Sequence, residues 1–298
     1  MKIPIILFSS IFYFSLFLTH AQAQSPEPIS LQIKSESGTI IWVDNLRYGT
    51  ISDSGEITIN NLKSGTHSLR ARLLGKRELI QPVIVKANAI NQVQLNFKTA
   101  ALPAELGFQT AETLREKGKH KDAIEEYRKA LNLSKFPLPR ARIGLARSLA
   151  ATADYEDAVI EARRAARESA VAPMIAAEAL TVVANTFRSQ GLYDDAFTNY
   201  TKALKLARNF SPEAHTGIAL NFMEENDAPS AIKHLSLGAQ QSNDTEPIIY
   251  YLLGNQLDRS GQIQAAITAY KNFLVLEPNG KNSNTARSLL KQLKREAR

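Results

Sequence analysis

The chain reads as a multidomain α+β protein: a small antiparallel, β-sandwich-like domain followed by an all-α solenoid of helical hairpins with a C-terminal capping helix. Three observations predict this. Residues 29–98 carry short alternating runs rich in β-branched residues, separated by Ser-Gly, Asp-Asn and Gly turns. Beyond residue 104 the alternation stops, and a helical pattern recurs about every 35 residues on a beat of Ala123, Ala158, Ala196, Ala231 and Ala266. Residues 281–298 then form one last amphipathic stretch.

A composition of 44% hydrophobic and 22% charged residues over 298 positions fits two folded units with helical bias. The chain has no cysteine, which excludes disulfides, thiolate metal sites and a thiol nucleophile. At the N-terminus, Lys2 precedes an apolar run from Ile3 to Leu18 and the small-x-small sequence Ala21-Gln22-Ala23. A helix over that run spans roughly 24 Å, short of the roughly 30 Å hydrocarbon core, so residues 1–23 read as a signal peptide rather than an anchor. The expectation is an exported protein, periplasmic or extracellular, with no transmembrane span after cleavage. Gln24 to Pro28 reads as an extended lead-in.

Within 29–98 the runs LQIKS, TIIWVD, EITIN, HSLRARLL, QPVIVKA and NQVQLNF predict the strands. Asp44-Asn45 suits a tight hairpin, and Gly49, Gly65 and Gly75 fall at later turns. Glu36-Ser37-Gly38-Thr39, Val43-Asp44-Asn45, Gly49 and Leu62-Lys63-Ser64-Gly65-Thr66-His67 stand in the order of the motifs of the PEGA domain, which this segment resembles. Ile51-Ser52 replaces that family's Thr-Pro, and the loop Asp53-Ser54-Gly55 is longer. The resemblance implies a β-sandwich-like module of extracytoplasmic proteins, a Leu62–His67 hairpin and no catalytic residues.

After a linker at Lys98 to Leu102, Pro103 marks the first helical turn, and five copies of one pattern occupy 104–280. The copies carry Ala111, Gly118, Ala123, Tyr127 and Ala130; Leu145, Ala146, Ala158, Ala162 and Ala165; Ala184, Gly191, Ala196, Tyr200 and Ala203; Ile218, Ala219, Ala231, Leu235 and Gly238; and Tyr250, Leu253, Gly254, Gly261, Ala266, Tyr270 and Pro278. Small residues allow close helix approach while an aromatic fills the space beside the next hairpin. These residues make the region resemble the tetratricopeptide repeat family. Ala153 and Asn226 stand at turn glycines, and the longer step from Ala158 to Ala196 predicts extra residues around Ser169 to Pro173.

In 283–297, Ala286, Leu289, Leu290 and Leu293 make one apolar stripe opposite a basic face, as a capping helix requires. The basic run there is read as a solvated face rather than a lipid or nucleic-acid anchor. The net charge of +7 is spread over the β-domain and the cap, with no dense basic stripe interleaved with aromatics, so nucleic acid is not an expected partner. No metal-spaced histidine pair, H-E-x-x-H, G-x-S-x-G or phosphate loop occurs, so no catalytic residue, metal site or cofactor is expected.

The tetratricopeptide resemblance implies a concave groove lined by the first helix of each hairpin. Projection places Phe108, Arg115, Ile143, Arg147, Asn185, Arg188, Leu220, Met223, Tyr251 and Asn255 there, joined by Glu112, Thr181, Thr216 and Asp258. Arg115, Arg147 and Arg188 read as a basic track for acidic side chains or a terminal carboxylate. The resulting expectation is a non-enzymatic extracytoplasmic scaffold or adaptor that holds a protein or peptide partner of the cell envelope. The alternative is an envelope polymer, glycan or peptidoglycan, bound by the β-domain through Trp42, Tyr48 and basic strand residues. Trp42 lies in an apolar run, which favours a core position.

Overall fold

The computed structural model describes residues 29–297. The signal peptide read over 1–23 lies outside them. Seven strands come first: β1 (Ile29–Lys34), β2 (Ile40–Val43), β3 (Leu46–Thr50), β4 (Glu56–Leu62), β5 (Gly65–Arg72), β6 (Leu79–Val85) and β7 (Asn91–Gln94). They form two sheets, ordered β4-β1-β7 and β3-β2-β5-β6. One pairing departs from an all-antiparallel domain, because β7 lies parallel to β1. Alternate residues from both sheets, including Leu31, Ile33, Ile41, Val43, Ile59, Leu69 and Ala71, fill the core between them.

The β2–β3 turn is built as expected. Asp44 and Asn45 both adopt positive φ, at 51° and 66°, as a two-residue hairpin requires. Asp44 then does more. Its carboxylate accepts from the Ser68 backbone N–H at 2.9 Å and meets His67 Nδ1 at 2.6 Å, while His67 Nε2 donates to the Lys63 carbonyl at 2.8 Å. Leu62–His67 is not a hairpin, however. β4 and β5 belong to different sheets, so this segment is a corner between layers, and His67 ties it to the β2–β3 turn.

Eleven helices follow among the described residues: α1 (Pro103–Glu116), α2 (His120–Leu133), α3 (Pro139–Ala151), α4 (Tyr155–Glu168), α5 (Pro173–Ser189), α6 (Tyr193–Leu206), α7 (Pro212–Glu224), α8 (Ala228–Ser242), α9 (Pro247–Arg259), α10 (Ile263–Leu276) and α11 (Ser283–Glu296). The first helix of every hairpin starts on a proline, where the missing N–H costs nothing. Each hairpin turns on one left-handed residue: Gly118, Ala153, Gly191, Asn226 and Gly261, with φ between 59° and 76°. The beat alanines Ala123, Ala158, Ala196, Ala231 and Ala266 are all fully buried. The extra residues before the third repeat lengthen α5 to 17 residues at its N-terminal end instead of forming a loop. Helix α11 closes the stack by packing Ala286, Leu289, Leu290 and Leu293 against α10.

Three tyrosines on the second helices, Tyr127, Tyr200 and Tyr270, are completely buried. Their rings lie where a glycine removes a side chain. A Cβ at Gly144 would overlap Tyr127, one at Gly217 would overlap Tyr200, and one at Gly254 would stand 2.7 Å from Tyr270. Two opposite outcomes are expected in thermal unfolding. Ala153→Gly should stabilise by about 1 kcal/mol, because a Cβ at positive φ costs about that much. Gly217→Ala gains roughly 1 kcal/mol of helix propensity but forces the Tyr200 ring to move at about 1–3 kcal/mol, so it should destabilise. A lower Tm for the first variant, or a higher one for the second, would contradict this packing.

Candidate functional site

The linker at Lys98 to Leu102 is not free: Thr99 bridges to Lys76, and the Ala100 N–H donates to the Gly75 carbonyl at 3.0 Å. This seats the β5–β6 loop on α1. The Gly75 N–H donates to Gln109 Oε1 at 2.9 Å, Gln109 Nε2 donates to the Lys76 carbonyl at 2.6 Å, and the Glu78 N–H donates to Glu105 Oε1 at 3.0 Å. Beside them the buried Arg72 donates to Glu112 Oε2 and Glu116 Oε1, both at 2.7 Å. At the far end Asn243, in the loop between α8 and α9, donates to Tyr48 Oη at 2.8 Å and to the Asn60 carbonyl at 3.1 Å. The β-domain therefore lies across the concave face of the repeats, held at the first repeat and again between the fourth and fifth.

Strand register decides what faces the groove. Ile41 and Val43 pair with Ala71 and Leu69 and point into the β core, so Trp42, Arg70 and Arg72 point the other way. Trp42 is buried as expected, yet it sits outside the β core, with the Arg70 guanidinium 3.9 Å above its ring. Tyr48 is half-buried, and its hydroxyl is taken by Asn243. Neither aromatic is presented for a glycan surface. The partly open groove between the β-domain and the repeats has a volume of about 570 Å³ and is lined by this sheet face and by the first helices of all five repeats.

Of the residues projected onto the groove, Phe108, Arg115, Ile143, Arg147, Asn185 and Leu220 line this chamber, together with Glu112, Thr181 and Thr216. Four lie elsewhere. Met223 packs with Ala219 and Leu235, and Tyr251 stacks on Tyr270 and Phe273 with ring centroids 6.2 and 5.4 Å away. Asn255 accepts the Tyr270 hydroxyl at 2.7 Å. Arg188 stands beside the Tyr200 hydroxyl. These placements expose a repeated device: Tyr127, Tyr200 and Tyr270 donate to Glu112, Asn185 and Asn255, each fifteen positions earlier on the facing helix.

Arg115, Arg147 and Arg188 do not form an open basic track. Arg115 pairs with Glu112 at 3.0 Å, and Arg147 on α3 bridges Glu178 on α5 at 2.8 Å and Glu213 on α7 at 3.0 Å. Asn185 completes that network by donating to Glu213 at 2.8 Å. Burial would lower the Arg147 pKa, but Glu213 and Glu178 outweigh it and raise it. Glu178 was not legible as a site residue from its type. It lies in the segment displaced by the longer step between the second and third repeats, and that spacing was its signal.

Glu112 is a strongly perturbed carboxylate of the chamber. Burial pushes its pKa up, but Arg115, Arg72 and the Tyr127 hydroxyl prevail and hold it at about 2. A second titrating pair lies on the fourth hairpin, where His215 Nδ1 and His234 Nδ1 are 3.1 Å apart. Burial, then His215 and Lys233, lower the pKa of His234 to about 4. Among the described residues no group of three or more His, Asp or Glu side chains is arranged to hold a metal ion.

Residues 108–173 and 177–210 match family models of the tetratricopeptide repeat. The fold recurs in solved structures. A chain of the APC/C hetero-tetramer Cut9-Hcn1 aligns with 64% of this chain at 18% identity and a TM-score of 0.54, and this chain spans 37% of its length. The tetratricopeptide repeat protein TTC0263 of Thermus thermophilus aligns over 63% of this chain and 98% of its own, at 16% identity and a TM-score of 0.51. PilF of Pseudomonas aeruginosa aligns over 65% and 91%, at 17% identity and a TM-score of 0.50. No curated protein matches the sequence. The helical region is therefore a tetratricopeptide repeat solenoid, an architecture that generally serves protein interaction.

Two separate pH windows follow. The depressed His234 keeps the folded state neutral while the unfolded chain takes up a proton, so stability should fall between about pH 6.5 and 4. The depressed Glu112 stabilises above its unfolded pKa, and that stabilisation, about 3 kcal/mol, should be lost as pH falls from about 4.5 to 2. Unfolding measured against pH should show a smaller upper window in His234→Gln, where the buried His215 stays depressed, and a smaller lower one in Glu112→Gln, where Glu178 stays depressed. Unchanged profiles would contradict these environments.

Proposed function

We propose that this chain is a non-enzymatic, exported scaffold that holds a protein partner of the cell envelope in the concave groove of its repeats. The observation that carries this reading is the chamber itself. Phe108, Ile143 and Leu220 from α1, α3 and α7, with Ile248 from α9, supply apolar contacts, while Arg147 and Asn185 supply fixed polar ones. Such a surface suits recognition of shape along several repeats.

Export is supported by the leader pattern of residues 1–23. Among the described residues no helix is long and apolar enough to cross a membrane. The assignment of the β-domain as PEGA-like is supported by the Asp44–His67 contact, which joins two of the motif segments in space. An envelope-polymer role for that domain has less support, since Trp42 lines the groove and Tyr48 packs against the β core with its hydroxyl bonded to Asn243.

The test is capture from envelope extract with chamber and cap variants side by side. Leu220→Ser with Ile248→Ser should reduce capture about tenfold, the loss expected for removing around 1.4 kcal/mol of binding energy, with the helical signal retained. Neutralising Lys291, Lys294 and Arg295 to glutamine should leave capture unchanged. If the cap variant loses the partner and the chamber variant keeps it, the groove is not the binding site. Arg147→Ala is unsuitable for this purpose, because it would strand Glu178 and Glu213 and should itself lower the Tm. Intact mass of exported protein should show a chain beginning near Gln24; a full-length membrane-extracted species would overturn the export reading.

A further inference from the structure

The β-domain rests on the repeats almost wholly through polar groups. Its core residues and those of the helices form separate apolar clusters among the described residues, and the firmest link between them is Arg72 on Glu112 and Glu116. That link has the form of a ligand in a receptor. Arg72 projects from an extended strand into the first repeat, where two carboxylates one helical turn apart each accept one of its terminal nitrogens at 2.7 Å. On the same strand Arg70 faces the chamber, with Glu78 at 3.4 Å and its Nε without a partner. Contacts between domains of one chain are typically small, polar and movable.

We propose that the first-repeat end of the groove is a receptor for arginine on an extended segment, filled in cis by Arg72 of β5, and that the partner is an arginine-bearing strand that takes its place. This rests on the groove being the partner site and adds the chemistry of the partner and the gate in front of it. The charge logic is the reverse of a basic track. Arg147 is already committed to Glu178 and Glu213, whereas Glu112, shared with Arg115, and Glu116, shared with Arg47, both take the Arg72 guanidinium of a separately folded domain. A competitor must therefore bring a guanidinium, with its paired donors, rather than a carboxylate.

The chain carries its own reporter, because Trp42 is its only tryptophan and lies on the sheet face that would leave the groove. The probes are a labelled peptide copying residues 65–72, GTHSLRAR, and its charge-reversed form GTHSLEAE. Three full-length chains are compared: wild type, Arg72→Gln, and Asn60→Cys with Asn243→Cys joined by a short bismaleimide, which is selective because the chain has no other cysteine. The arginine peptide should bind Arg72→Gln at least tenfold more tightly than wild type, with a red-shifted Trp42 emission, and the crosslinked chain more weakly than wild type. The wild-type and crosslinked comparison stands even if Arg72→Gln fails to fold.

Equal binding of the arginine peptide to all chains would overturn the gate, and no binding to any chain would overturn the receptor. Preference for GTHSLEAE would overturn the arginine inference while leaving the groove as the partner site. The groove itself fails only if the Leu220 and Ile248 variant keeps its captured partner.

Discussion

The buried node of Arg72, Glu112, Arg115 and Tyr127 is the constraint on which the rest of the arrangement depends. Glu112 is only 8% exposed and receives two guanidiniums and a phenol. One guanidinium comes from the β-domain, the other from the same helix one turn on, and the phenol from the second helix of the hairpin. A single carboxylate thus sets the internal geometry of the first repeat and the position of a separate domain on it. Removing one partner from such a node typically costs about 3–5 kcal/mol, because the remaining charge stays buried. The interface is weak in apolar area yet specific in geometry.

The same chemistry, with the charge removed, recurs along the solenoid. Asn185 and Asn255 take the place of Glu112 in accepting from Tyr200 and Tyr270. A buried phenol needs an acceptor, and two of these acceptors, Glu112 and Asn185, also line the chamber, whereas Asn255 does not. In the first and third repeats the residue that satisfies the tyrosine therefore also lines the concave face. At Glu112 the tie gains charge because Arg72 and Arg115 are there to balance it, and that is the repeat on which the β-domain docks.

Much of the solenoid was legible in the sequence because its physical causes are local and periodic. Alanines at close contacts and left-handed residues at hairpin turns recur at readable spacings, and even Ala153 and Asn226 revealed themselves as turn positions by register alone. The groove was legible only in part. Projection identifies which positions lie on a face, so Phe108, Ile143 and Leu220 were found, but it does not show which cations already have partners. Arg147 looked free because Glu178 and Glu213 lie 31 and 66 residues away on other helices. Trp42 was misplaced for a related reason. An apolar run predicts burial, whereas strand register decides which face does the burying, and here Trp42 lies on the groove-side face beneath Arg70 and Arg72.

A polar seam between two separately cored units has a direct consequence for function. Apolar interfaces lose stability roughly in proportion to the area exposed, whereas a seam built on few charge-assisted hydrogen bonds opens when one of those bonds finds a better partner. The β5–β6 loop, the Arg72 node and the Asn243 contact lie at the two ends of the chamber, with the Trp42 and Arg70 face between them. The molecule is thereby divided into a rigid stack, held by alanine contacts and tyrosine bonds, and a docked domain whose hold is electrostatic. Glu112 and Glu116 thus serve both the first repeat and the seam, so under the proposed reading a guanidinium ligand of that repeat would compete with Arg72 for the same carboxylates.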